Sequence, residues 1–415
     1  MERNGISKLD LKRLNRSEIL KLITRNGPMS RIDIACRLKL TRAAVTIITN
    51  EMIEQGVIYE KGEQKAVGEK VSRGRKKIML DICENYRLSF GVVIDREKIH
   101  VGLANLKGQT LDKRSFSYAD REISSLAEQI DEQIHDIMEI NCLTGSNILG
   151  IGVCISENVR GTLKVQDQYP KGNELESALQ KMLQIRFADL PVLVDGTTEC
   201  LALAEILFRS GNLEKPRNMV LIRYGLDVDA AIMLNDRIYR GSHGNMGWFP
   251  HLVVDAHGDR CECGKIGCCV TRMSIWGIME KIKDLYVQGK TPLLYQATGG
   301  DINKINFSVE NSKSILIDDS VKELYRQALR YLTTALDDIL VILDPDQIVL
   351  FGFVFEKILD LDMLNEIMEK EHNCSLKGKV FLSGIPDSSI YLAGNALCVQ
   401  NLFMEKGGFP AMSDN

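Results

Sequence analysis

The chain has 415 residues, enough for two or three domains at roughly 150 residues each. Its 45% hydrophobic and 26% charged residues exclude disordered, collagen-like and coiled-coil classes, and no apolar run approaches the roughly 20 residues that cross a bilayer. The net charge of -4 is uneven: residues 1–80 carry 18 Lys and Arg against 9 Asp and Glu, a net +9, so the remainder carries -4 - 9 = -13.

A basic head on an acidic body points to a polyanion at the head. The opening MERNGISKLDLKRLNR lacks a signal-peptide core, so a cytoplasmic chain with no membrane partner is expected. From Arg16, Ile19, Leu20, Leu22 and Ile23 form the apolar face of a first helix that Asn26-Gly27-Pro28 stops. Ser30 is an N-cap for a second helix, Arg31 to Leu38, with Ile34, Ala35 and Leu38 inward. After a turn at Lys39-Leu40, Thr41 caps a third helix, Arg42 to Gln55, with Val45, Ile48, Met52 and Ile53 inward. Arg42, Ala43, Thr46, Thr49 and Asn50 then face outward.

Two short helices joined by a tight turn, the second presenting Arg, Ala, Thr and Asn, form the helix-turn-helix that enters a major groove. Arg42 and Asn50 suit base edges, and Thr46 and Thr49 suit phosphates or a thymine methyl. The alternative is a protein-interaction module with a solvated face. Val57 to Lys61 and Lys77 to Leu80 read as two strands of a wing. In the basic stretch between them, Arg73 and Arg75 flank Gly74 and resemble clamps that lay arginines in a narrow minor groove.

From Leu88 the pattern becomes strand-like (LSFGVVID, KIHVGLANL, QTLDKRSFSY) and then a helix near Ile123 to Ile140. ILGIGVCI, a helix near Glu174 to Phe187, PVLVDG and the helix ECLALAEILFRSG follow. A second round runs from NMVLIRYG and DAAIMLNDRIY through helices at Val321 to Leu343 into QIVLFGF. Two such rounds imply two α/β lobes around a ligand cleft. Eleven cysteines in a cytoplasmic chain suggest thiols or metal ligands rather than disulfides, and Cys261, Cys263, Cys268 and Cys269 lie within nine residues.

The winged head, the segment HLVVDAHGDRCECGKIGCC and the duplicated α/β body resemble transcriptional regulators of the ROK family (repressors, open reading frames and sugar kinases), of the xylose-repressor and N-acetylglucosamine-repressor type. The resemblance implies a winged helix-turn-helix (1–80), a first lobe of an actin-like, sugar-kinase body (81–200), a second lobe with the cysteine motif (201–405) and a tail (406–415), with the C-terminal helix packing back on the first lobe. His251, Cys261, Cys263 and Cys268 supply one imidazole and three thiolates, a tetrahedral set that suits structural Zn²⁺ and leaves no open position. Cys269 is the substitute ligand; His243 and His257 read as loop residues.

The kinase features that the family carries are eroded. Where its first phosphate turn falls, the chain reads Val93-Ile94-Asp95-Arg96-Glu97; its second aligns with Gly225-Leu226-Asp227-Val228-Asp229, and a third with Phe351-Gly352-Phe353. Carboxylates in place of glycines oppose a triphosphate, so no ATP is expected. Anchored on Ala202-Leu203-Ala204-Glu205, the family's Asn-Asp pair with its catalytic base falls on Gly196-Thr197, with Asp195 the nearest stand-in. Two sugar-binding glutamates become Trp248 and Val270; Trp248 can stack on a sugar or simply fill the cleft. The effector site is therefore expected at Gly196, Thr197, Trp248, His251 and Val270.

The resulting expectation is a non-enzymatic DNA-binding repressor of carbohydrate-related genes. It would bind a palindromic duplex operator as a homodimer or dimer of dimers and answer a carbohydrate effector or a protein partner. An active sugar kinase carrying a DNA-binding head is the alternative.

Overall fold

Side-chain caps set the local structure of the head. The structure is a computed structural model that describes residues 7–63, 77–170, 173–209, 215–225, 227–242, 249–305, 317–357 and 361–409. Helix α1 (Lys8–Asn26) opens on a capping box: the Ser7 hydroxyl accepts from the Asp10 N–H, and the Asp10 carboxylate accepts from the Ser7 N–H. It starts well before the apolar face at Ile19, because the cap is local and polar. β1 (Met29–Ser30) leads into α2 (Arg31–Leu38) and α3 (Arg42–Glu54), where the Ser30 and Thr41 hydroxyls accept from the Asp33 and Ala44 N–H groups.

The wing is β2 (Ile58–Glu63) and β3 (Ile78–Ile82). β3 also pairs with β1, so the sheet has three strands in the order β1-β3-β2 rather than the two expected.

Two five-stranded sheets of one plan follow. The first has the order β6-β5-β4-β7-β8, from β4 (Leu88–Ile94), β5 (Lys98–Ala104), β6 (Thr110–Ser117), β7 (Ile148–Ile155) and β8 (Val192–Gly196). Helices α4 (Ile123–Ile140), α5 (Glu157–Arg160), α6 (Glu174–Arg186) and α7 (Thr197–Phe208) connect or follow these strands. Every residue of β4 and β7 is buried, which explains why both read as continuous apolar runs rather than alternations.

The second sheet repeats that order as β11-β10-β9-β12-β13. Its strands are β9 (Met219–Tyr224), β10 (Val228–Leu234), β11 (Arg237–Ile238), β12 (Gln347–Phe351) and β13 (Val380–Leu382). Around it are α8 (Cys269–Met273), α9 (Ile275–Val287), α10 (Pro292–Thr298), α11 (Asp319–Leu343), α12 (Phe353–Lys357) and α13 (Leu361–His372). In each sheet a three-strand antiparallel meander meets two parallel strands.

Contacts divide the chain into two compact units, one reaching Lys215 and resuming at Tyr391, the other Pro216–Ile390. The expected division at 200/201 thus falls inside α7. Residues from Tyr391 fall within the 201–405 range expected for the second lobe but belong to the first unit, where α14 (Leu392–Cys398) lies on β4 and β7, in the lobe on which the C-terminal helix is expected to pack. A Cβ on Gly152 would stand 2.0 Å from the Gly394 carbonyl oxygen, so only glycine permits this approach.

Beyond α14 the chain enters the head. Val399, Phe403 and Met404 share a core with Ile19, Leu20, Ile23, Ile34, Val45 and Met52. Arg16, fully buried there, donates from Nε to the Gly407 carbonyl (2.7 Å) and from Nη2 to Gln55 Oε1 (2.8 Å), and its guanidinium lies 3.9 Å from the centre of the Phe409 ring. No described helix is long and apolar enough to cross a membrane.

Candidate nucleic-acid interface and metal centre

The turn between α2 and α3 is closed by Lys39 in the left-handed region (φ 55°), with the Leu40 N–H donating to the Ala35 carbonyl. Val45, Ile48 and Met52 of α3 sit in the head core. Arg42, Ala43, Thr46 and Asn50 are exposed on the opposite side. The Thr46 hydroxyl donates to the Arg42 carbonyl (2.8 Å), and Asn50 Oδ1 accepts from Arg31 Nη2 (3.1 Å).

Thr49 is a correction. Expected outward, it is fully buried: at 3.6 residues per turn it borders the apolar face, and its hydroxyl donates to the Val45 carbonyl (2.8 Å) while accepting from Arg31 Nε (3.0 Å). Arg31 is further held by Glu60 across the wing, at 2.9 Å. Conversely, Ile47, an apolar residue outside the expected inward set of α3, is 62% exposed beside Thr46. Arg73 and Arg75 lie outside the described residues.

At the base of the wing, Asp81 accepts from Lys61 Nζ (2.9 Å) and Lys107 Nζ (3.0 Å), tying β2 and β3 to the turn after β5. Burial works to raise the Asp81 pKa, but the two ammonium groups and the Ile82 N–H outweigh it and hold it below the ordinary value.

In the body, four backbone N–H groups at or beside the expected phosphate turns, those of Asp95, Arg96, Gly225 and Ala230, donate within the protein. In the turn after β4, the Asp95 N–H donates to the Lys98 carbonyl (3.0 Å) and the Arg96 N–H to the Asp95 carboxylate (2.9 Å). Tyr118 OH donates to the Asp95 carbonyl and Arg121 to that of Arg96. After β9, the Gly225 N–H donates to the Asp227 carbonyl (2.9 Å) and the Ala230 N–H to the Asp229 carboxylate (2.8 Å). Gly352 accepts from the Phe355 and Glu356 N–H groups and so starts α12.

The expected effector residues are spread over both units. Gly196 ends β8 and Thr197 begins α7, buried, its hydroxyl accepting from Ser156 Oγ (3.2 Å). The Asp195 carboxylate accepts from the Gly196 N–H (2.8 Å). Val270 is half-buried on α8. Trp248 and His243 lie outside the described residues.

His251, Cys261, Cys263 and Cys268 do converge, with all four ligand atoms within 4.8 Å of one another. Cys261 Sγ is 3.4 Å from His251 Nδ1, and Cys263 Sγ is 3.6 Å from Cys268 Sγ. The loop is closed by the Gly264 N–H to the Cys261 carbonyl and the Cys261 N–H to the Lys265 carbonyl. Gly267, at φ +73°, passes so close to Asp255 that a Cβ would stand 1.5 Å from its carbonyl oxygen.

Around the loop, the Asp255 carboxylate accepts from Arg272 Nη2 (2.6 Å), Tyr331 OH (3.0 Å) and the His257 N–H (3.0 Å), and Arg272 also pairs with Asp259 at 2.9 Å. These bonds fasten the loop to α8 and α11. Neither Cys269 nor His257 is in the cluster: Cys269 packs in the apolar core of its unit, where burial pushes its thiol pKa up.

A winged helix-turn-helix, two copies of a five-stranded α/β sheet and a His-Cys₃ loop together define a class of protein. The ROK family profile matches residues 89–382 and a winged helix-turn-helix DNA-binding profile residues 13–59, and the chain belongs to the ROK family. It is 28% identical over 286 residues to the xylose repressor of Caldicellulosiruptor bescii, covering 67% of this chain and 68% of that one. It is also 28% identical over 285 residues to the N-acetylglucosamine repressor of Escherichia coli O157:H7, covering 68% of each.

Among solved structures, the fold matches a ROK family transcriptional regulator described as a homolog of the E. coli MLC protein. The TM-score is 0.71 at 24% identity, over 96% of this chain and 98% of that one. A ROK family glucokinase from Streptomyces griseus, in complex with glucose and AMPPNP, matches 74% of this chain and 98% of its own, with a TM-score of 0.57 at 18% identity.

Proposed function

We propose that this protein is a cytoplasmic transcriptional repressor of carbohydrate-related genes, in which α3 reads duplex DNA and the ROK body has lost kinase activity. The observation that carries the reading is α3 itself: it is fixed by the Thr41 cap and three core side chains, and it presents Arg42, Ala43, Thr46 and Asn50 to solvent. The relatives named as xylose and N-acetylglucosamine repressors support the same reading. One head spans only a few base pairs, so a homodimer on a palindromic operator supplies the specificity.

The body supports a sensing role better than a catalytic one. The N–H groups of Asp95, Arg96, Gly225 and Ala230, at or beside the expected phosphate turns, are bonded within the protein, and the expected position of the catalytic base is Thr197, a side chain that does not accept a proton near neutral pH. A carbohydrate or a protein partner would act by favouring one arrangement of the heads.

The donor set of the loop fits zinc. Zn–S bonds of about 2.3 Å in a tetrahedron place sulfurs about 3.8 Å apart, near the 3.6 Å between Cys263 and Cys268. His251, Cys261, Cys263 and Cys268 would hold the ion, which would cross-link the loop and, with four protein ligands, leave no position for substrate.

The test is binding of full-length protein to duplexes enriched from a random pool. Affinity should fall steeply with salt, and Arg42→Ala or Asn50→Ala should each weaken it about 5- to 100-fold. Unchanged affinity in both variants would refute the role of α3.

A further inference from the structure

We propose that Ile47 is a specificity-determining residue that recognises the 5-methyl group of a thymine in the major groove. The inference rests on the DNA-binding reading of α3 and adds to it what kind of base that helix selects.

Ile47 is the one large apolar side chain strongly exposed on α3, 62% in solvent, and it takes no part in the head core. Helical spacing places it one turn after Ala43 on the same exposed side, with Thr46 and Asn50 alongside. The hydrogen bonds of these neighbours narrow what the surface offers. Thr46 commits its hydroxyl proton to the Arg42 carbonyl, which leaves it an apolar methyl and no free hydroxyl donor. Asn50 already has Oδ1 engaged by Arg31, which leaves its NH₂ as a donor.

The centre of α3 therefore presents apolar groups at Ala43, Thr46 and Ile47 and one amide donor at Asn50. In the major groove thymine alone presents a methyl group together with an O4 acceptor. Bidentate recognition of adenine by Asn50 would require its Oδ1 to accept from the base while still accepting from Arg31, whereas a single bond from its NH₂ to thymine O4 leaves the Arg31 bond as it is. The complementary site is an A·T pair with its thymine facing Ile47.

The experiment uses full-length protein and a duplex enriched from a random pool, in which each thymine is replaced singly by deoxyuridine, removing only the methyl. At one thymine per half-site the wild type should lose about fourfold in affinity, the factor corresponding to one buried methyl group. Ile47→Ala should lose about as much on the thymine duplex and become indifferent to deoxyuridine at that position. Its slope of affinity against salt should be unchanged, because Ile47 meets no phosphate. The exposed position should leave the melting temperature of the variant at the wild-type value.

Ile47→Ala retaining every deoxyuridine sensitivity of the wild type, or a wild type indifferent to deoxyuridine throughout an enriched duplex, would overturn this proposal and leave the DNA-binding reading standing. A wild type that enriches no sequence and shows no salt-dependent binding would overturn both.

Discussion

The outer face of α3 and the phosphate turns of the body are both polar surfaces at the ends or flanks of regular elements, yet they use their polar groups in opposite ways. On α3, Arg42 and the Asn50 amide point to solvent, and the bonds made by Thr46 and Arg31 shape that surface without closing it. In the turns after β4 and β9 and at the start of β10, backbone N–H groups donate to carbonyls and to the Asp95 and Asp229 carboxylates beside them. A carboxylate that satisfies a local N–H occupies the place an anionic ligand would take. The sheet depends on buried apolar strands while an anionic ligand depends on N–H groups left open, so the one can be kept while the other changes.

The contrast can be tested from its largest expected effect downward. Arg16→Ala removes the donor to Gly407 and Gln55 and empties the space against Phe409, so the first unit should lose about 3 kcal/mol by urea titration, with DNA affinity lost in parallel. Arg42→Ala, on the open face, should change stability by no more than about 0.5 kcal/mol. Equal destabilisation by the two would erase the distinction between supporting and reading residues.

Next is the metal loop. Purified protein should contain about one zinc per chain, and Cys261→Ser should bring this below about half and lower the unfolding temperature. Full occupancy in the variant would remove Cys261 from the ligand set.

A smaller effect is expected at Asp81. Its folded-state pKa lies below the unfolded value, so its contribution is complete above the ordinary carboxylate pKa of about 3.9 and is lost as pH falls through the lower folded value. Asp81→Asn should cost about 1 kcal/mol at neutral pH, and the gap to wild type should close in acid; a gap independent of pH would mean that Lys61 and Lys107 do not act through charge. The smallest effect is none: Thr197→Asp should yield no turnover of hexose and ATP in a coupled assay, since the Asp95, Arg96, Gly225 and Ala230 N–H groups keep their bonds within the protein. Measurable turnover would break the comparison.

What the sequence disclosed follows from how local each cause is. Ser30 and Thr41 could be recognised as caps because the bonded N–H lies three residues away, and the cysteine loop because its four donors fall within one short segment. The repeated α/β plan was readable from buried runs such as ILGIGVCI. Non-local causes stayed hidden. Thr49 is buried partly because Arg31, on another helix, bonds to it, and Met29–Ser30 becomes a strand only because β3 lies beside it. Tyr391 onward joins the first unit through contacts made hundreds of positions away, among them the approach of Gly394 to Gly152; the family resemblance implied that return, but periodicity holds no signal for it. Ile47 was visible as a residue type, but an isoleucine gains meaning as a surface feature only when its neighbours are placed.

The sharing of one core by α1, α3 and residues 399–404 also sets an order of events during synthesis. Helix α3 leaves the ribosome early, but Arg16 and the apolar side chains around it wait for partners encoded more than a thousand bases downstream. A chain interrupted shortly before α14 would therefore be impaired first at its opposite end, in the packing that holds α3, although α3 itself had already been made.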